Sequence, residues 1–115
     1  MKHTKLKITK MLNEILNYLY YIGATDISAH IKEEINYFEI SIESDYKEGI
    51  KDSKIEKIEK NLLTKREESM EEYYWELAGE CDVDCDLVLV GMMCDFSEVK
   101  KLDNNKIKIL VRRNK

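Results

Sequence analysis

The residue types best suited to chemistry are concentrated in one acidic stretch, Cys81-Asp82-Val83-Asp84-Cys85-Asp86. Aspartates at 82, 84 and 86 match the opening ligand spacing of a calcium loop, which also needs a glycine after the third acid and a glutamate at its twelfth position. Leu87 and Met93 stand there instead, so the calcium pattern fails. Zinc takes four ligands. Cys81 and Cys85 supply two, and Cys94 and His30 have no signature spacing to them. The alternative to a metal- or thiol-dependent site is a solvated loop whose aspartates lie near a helix N-terminus, where negative charge is favoured. Nor does the segment look like a redox or nucleophilic centre. The spacing is Cys-x-x-x-Cys, and no Lys, Arg or His adjoins either cysteine to stabilise a thiolate. Cys94 lies in an apolar run and reads as a small core residue. His3 is next to the terminus, His30 faces the wet side of a strand, and no serine stands in a nucleophile-elbow context. Nothing selects a catalytic pair from the 23 acids. No catalytic residue and no cofactor are expected.

Tyr73-Tyr74-Trp75 is a second kind of candidate. In a helix, Tyr74 falls within the stripe of Met70 and Leu77, Tyr73 flanks it, and Trp75 projects about 130° from its centre. Trp75 then either packs beneath the acidic loop or anchors a partner, with Tyr73 beside it.

The elements that position these residues follow from hydrophobic period. Ile8, Met11, Leu12, Ile15, Leu16, Leu19 and Ile22 form one face of a helix over 5–22, with Lys7, Lys10, Asn13, Asn17 and Tyr21 opposite and Gly23 as its stop. The period then changes to two. Ile27, Ala29 and Ile31 alternate with polar residues, as do Phe38, Ile40 and Ile42, so a hairpin with one buried and one wet face is predicted. A loop at 45–49 leads to a helix over 53–63 with stripe Ile55, Ile58 and Leu62. Thr64 and Glu67 have capping-box spacing and open another helix over 65–78. Residues 87–94 fit a buried helix or a strand equally. Segments 97–102 and 107–113 flank Asp103-Asn104-Asn105-Lys106, a turn signal, and make a second hairpin. The order α-β-β-α-α-(α)-β-β predicts an α+β two-layer sandwich: a four-stranded mixed or antiparallel sheet with helices on one face.

The 115 residues suffice for a single domain, 1–115, since neither a proline nor a glycine-rich linker divides them. Three cysteines, an odd number, with no secretory signal point to a reducing, cytoplasmic setting. The longest apolar run falls far short of the roughly 20 residues a membrane helix needs. Frequent Lys, Ile and Asn suggest a bacterial source. Net charge is −4, but residues 80–98 carry −6 and residues 99–115 carry +6. The basic end alternates Lys106, Lys108 and Arg112 with apolar residues and continues into Arg113 and Lys115. This reads as an exposed strand face with a solvated terminus and not as a nucleic-acid surface. The two opposite charges allow a head-to-tail homodimer and equally an intramolecular neutralisation.

The order of elements resembles the ATP-binding domain of the histidine kinase, gyrase, Hsp90 and MutL superfamily, the Bergerat fold. That family carries Glu-x-x-x-Asn on its first helix, where the asparagine holds magnesium on the nucleotide. Glu14-Ile15-Leu16-Asn17 is one residue short of it. The family's Asp-x-Gly-x-Gly, whose aspartate reads adenine, corresponds to Asp45-Tyr46-Lys47-Glu48-Gly49, which keeps the aspartate and one glycine. A glycine-rich lid is missing, for Gly79 and Gly91 stand alone. The resemblance implies the fold without its ATP chemistry: a non-catalytic, protein-binding regulatory module. Two alternatives remain, a functional ATP-binding or phosphotransfer module using Asn17, Asp45 and Gly49, and the Cys81–Cys85 site. The stretch from Glu72 to Met93 also resembles small bacterial proteins of unassigned function, which implies no activity.

Overall fold

Apolar residues at helical spacing close the first element as expected. Helix α1 (Thr4–Tyr21) ends in a Schellman motif, with the Gly23 N–H donating to Tyr20 O at 3.1 Å and the Ala24 N–H to Leu19 O at 3.0 Å. The computed structural model describes residues 4–63 and 83–115, the side chains of 83–85 excepted. Within them lie strands β1 (Asp26–Glu33) and β2 (Tyr37–Asp45), helices α2 (Asp52–Leu62) and α3 (Val83–Met93), and strands β3 (Phe96–Asp103) and β4 (Lys106–Asn114). The helix expected over 65–78 lies outside the described residues.

The strands form one sheet in the order β1-β2-β4-β3, and every pairing is antiparallel. Helices cover one face. Phe38, Ile40 and Ile42 of β2 and Ile107, Ile109 and Val111 of β4 point into that layer and are buried against Ile15, Leu19, Ile58, Leu87 and Val90. Each such side chain contributes about 1.5–3 kcal/mol by leaving water. The α+β sandwich therefore stands as the sequence implied, as does the element order among the described residues.

Residues 83–93 resolve as helix. Leu87, Leu89, Val90, Gly91 and Met93 are buried and Val88 and Met92 half-buried, so α3 is apolar on all sides and lies between α1 and α2. A helix enclosed in this way carries no amphipathic period, which is why period alone left it ambiguous. Its start also corrects the loop expected around Asp84 and Asp86: both are helical, and Asp86 is buried. Acids in a first turn complement the positive end of the helix dipole.

Three further expectations need correction. Lys7, placed on the wet side of α1, is 0% exposed. A second buried row of Lys7, Met11, Glu14 and Tyr18 runs beside the apolar stripe, because α1 is covered on more than one side. Arg113, placed on the exposed basic end, is 1% exposed and points to the helical layer. There its guanidinium donates to Met93 O at 2.7 Å, on the last turn of α3, where a cation is favoured. Finally, the apolar face of β1 is not buried along its length. Ile27 is half-buried and packed against the core, while Ala29 and Ile31 are exposed on what is, among the described residues, an edge strand.

The basic end is neutralised within the chain. Lys115 lies 2.7 Å from Glu33, Arg112 2.8 Å from Glu39, Lys101 2.9 Å from Asp52 and Lys106 3.7 Å from Asp45. Lys115 also holds the Glu33 carboxyl below the usual carboxylate range through their hydrogen bond.

Candidate functional site

Alternation along a strand sends every second side chain to the face opposite the described helices. Register then decides which of them meet. Lys32 of β1 stands opposite Glu39 of β2, Glu39 opposite Arg112 of β4, and Arg112 opposite Phe96 of β3. One row of four residues thus crosses the whole sheet, with Tyr37 adjoining it.

Arg112 is the centre of this row. Its Nε donates to Glu39 Oε1 at 2.8 Å. The guanidinium carbon lies 4.9 Å from the Tyr37 ring centroid and 5.4 Å from that of Phe96, both within cation–π range. Glu39 is 9% exposed, Tyr37 half-buried and Phe96 45% exposed. The Glu39 hydrogen bond raises the guanidinium above the ordinary arginine value. Lys32 continues the row at 3.9 Å from Glu39 Oε2 and 3.3 Å from Glu34 Oε1, and its hydrogen bond to Glu34 raises the ammonium pKa. The next row holds His30, Ser41, Leu110 and Glu98. The arrangement has no nucleophile poised on a base. It offers two aromatic surfaces and a cation held in place from three sides, the residue types that dominate binding energy at protein interfaces.

The residues singled out in sequence are distributed differently. Asp45 ends β2 on this outer face and lines an open hollow of about 550 Å³ with Thr25, Tyr46, Lys47 and the 103–106 turn. Gly49 (φ 80°) is in the loop after β2 and lines a separate hollow with Glu48, Ile50, Lys51, Lys101 and Asn104. That loop is latched to the turn by Tyr46 N–H to Asn105 O at 2.8 Å and Ile50 N–H to Asn104 O at 3.1 Å. Burial raises the Tyr46 phenol pKa, and its oxygen lies 3.0 Å from Ser44 Oγ. Asn17 is on the exposed side of α1, in the helical layer. The sheet therefore separates Asn17 from Asp45, and the two are not brought to one site. His30 is exposed, and Cys94 is in the core with its thiol 3.7 Å from Gly91 O. Tyr73, Trp75 and Cys81 lie outside the described residues, and Cys85 is in the first turn of α3. Among the described residues, no group of three or more His, Cys, Asp or Glu can hold a metal ion, and no helix is long and apolar enough to cross a membrane.

A nucleotide test follows from the separation of Asn17 and Asp45. Millimolar Mg-ATP is expected to leave the melting midpoint unchanged. A ligand at 100 times its dissociation constant would add about 2.7 kcal/mol and raise the midpoint by roughly 10 °C in a domain of this size. A shift of that order would restore the nucleotide reading.

Alternation in the sequence puts Arg112 on the outward strand face but does not join it to Tyr37, Glu39 and Phe96. Arg112 and Glu39 are 73 residues apart, and only the β2–β4 register brings them together. Compared with known proteins, the chain matches no family model, no curated protein and no solved structure.

Proposed function

We propose that this chain is a non-catalytic protein-binding module of the bacterial cytoplasm, with the outer sheet face around Arg112 as its binding surface. The observation that carries the reading is the Arg112 guanidinium held between Tyr37 and Phe96 and fixed by Glu39. Such a side chain loses little rotamer freedom when a partner docks, and this preorganisation favours affinity. Its other N–H groups can donate to a partner's carboxylate or carbonyl groups while the two rings supply apolar contact. The antiparallel sheet beneath gives the surface a rigid base. Order of elements supports reading the scaffold as a degenerate histidine-kinase-type ATPase fold from which nucleotide binding has been lost. Trp75 and Tyr73 remain further proposed contacts.

The test is capture by immobilised protein from a lysate of the organism that encodes it. Arg112→Ala is expected to reduce recovery of the captured partner at least about tenfold. The melting midpoint is expected to fall by only about 5 °C, because the nearly buried Glu39 carboxylate keeps Lys32 at 3.9 Å as a second cation. Equal recovery by Arg112→Ala would remove this face from the account.

A further inference from the structure

Strand β1 has a second feature besides the exposed Ala29 and Ile31. Among the described residues it pairs with β2 alone, so its other edge carries backbone groups without a strand partner. Which groups these are follows from the hairpin end. Glu34 N–H donates to Tyr37 O at 2.8 Å, so residues 34 and 37 form a hydrogen-bonded pair. Antiparallel pairing alternates. Even-numbered β1 residues therefore direct their N–H and C=O groups to β2, and Ile27, Ala29 and Ile31 direct theirs outward.

We propose that β1 pairs antiparallel with β1 of a second copy of this chain, with Ala29 on the two-fold axis, joining the two sheets into one. In this register Ala29 meets Ala29, Ile27 meets Ile31, Ser28 meets His30 and Asp26 meets Lys32 of the other copy. The Ala29 pair and both Ile27–Ile31 pairs are then the hydrogen-bonded ones, each exchanging two backbone bonds. The axis is perpendicular to the sheet, so the helical layers of both copies lie on the same side. The inward side chains Ile27, Ala29 and Ile31 of each copy then form one apolar strip, covering Ile31, which is 41% exposed in the single chain. On the outer face the Asp26 carboxylate faces the Lys32 ammonium at both ends.

Charge fixes the register. Moving the axis to His30 sets Asp26 against Glu34 and Ile27 against Glu33. Placing it between Ala29 and His30 sets Asp26 against Glu33. Only the Ala29-centred register of these three pairs isoleucine with isoleucine and acid with base. A long edge with free backbone groups and few charges at its centre is an established template for strand addition, and the self-complementary sequence selects a second copy as the occupant. The Arg112 surface is on the outer face over β2, β4 and β3, so pairing through the free edge of β1 leaves Tyr37, Glu39, Arg112 and Phe96 open.

Sedimentation equilibrium from micromolar to millimolar protein is expected to approach twice the 13.6 kDa monomer mass. Asp26→Lys and Lys32→Asp, each alone, place like charges at both ends and are expected to weaken association at least about tenfold. The double variant exchanges the two charges and is expected to restore the wild-type constant. Position is read separately by cross-linking with oxidised glutathione in a Cys81→Ser/Cys85→Ser background. Ala29→Cys is expected to give a disulfide dimer, because the Cα atoms of a hydrogen-bonded pair are about 5.5 Å apart, within disulfide range. Ile31→Cys is expected to give none, being displaced by four residues, roughly 13 Å along the strand. All four positions are at the exposed edge, and circular dichroism checks that each variant is folded. A monomer at every concentration overturns the proposal, as does a dimer that is indifferent to both charge variants or that cross-links through Ile31→Cys.

Discussion

Gly91→Ala is expected to destabilise the protein, although the same change in a free helix would stabilise it. Alanine is favoured over glycine by about 1 kcal/mol in a helix interior. Gly91, however, lies where α3 presses on the end of α2. A β-carbon there would be 2.9 Å from Leu62 O, 3.0 Å from Asn61 O and 3.1 Å from Leu62 C. These are backbone atoms of the last turn of α2, so no rotamer change relieves the contact. Leu62 O is also within 3.5 Å of Ser97 Oγ on β3, which holds this helix end against the sheet. Relief requires α2 to move away from α3, opening contacts around Ile58, Leu62 and Leu87. Overpacking of a close-packed interior costs about 1–3 kcal/mol. The net loss for alanine is then up to about 2 kcal/mol, or as much as roughly 10 °C in the melting midpoint. Gly91→Val carries two further methyl groups into the same space and is expected to lose more than about 3 kcal/mol. A rise in midpoint for Gly91→Ala, measured by thermal melting, would show that the helices are not in contact here.

Arg113→Ala is expected to cost about 3 kcal/mol or more, while the same change one residue earlier costs much less. The two arginines are neighbours on β4 and point to opposite faces. Arg112 is outward on the wet surface. Arg113 is enclosed, and its charged N–H group satisfies the Met93 carbonyl at the end of α3. The four last carbonyls of a helix have no partner within it, so this bond terminates α3 as well as fastening it to the sheet. A hydrogen bond from a charged group is worth about 1.5–3 kcal/mol. Truncation also removes the buried aliphatic stem and leaves a cavity beside Met93. Urea denaturation checks the size of the effect. Arg113→Met, which keeps the stem, is expected to recover part of the loss. Full recovery would show that the arginine acts by packing alone and that the bond to α3 contributes nothing.

These two positions also show where sequence reasoning succeeds and where it stops. Period alone located α1, both hairpins and α2, because in each the apolar residues fall on one side. It stopped at α3, since a helix buried on every side has no polar face to give a period. The burial of Lys7, Glu14 and Arg113 is not legible in sequence, because charged side chains are rarely enclosed. Their burial depends on tertiary contacts that no local window contains. Ala29 and Ile31 depart in the opposite direction: a strand at the edge has the alternation of a half-buried one, and only the tertiary structure shows that these two side chains are exposed. The candidate surface was the least legible part. Tyr37, Glu39, Phe96 and Arg112 are unremarkable singly, and become a site only when β4 enters between β2 and β3. The hairpins could be read separately, but not how they join.

The central claim, that the outer face around Arg112 is the binding surface, is tested most directly by mapping amide shifts. The 15N-labelled chain would be titrated with the partner recovered by capture. The expected result is perturbation centred on Tyr37, Glu39, Phe96 and Arg112, spreading to His30 and Leu110 and lost with Arg112→Ala. Perturbation confined to the helical layer, or to the 46–50 loop and the 103–106 turn, would contradict it.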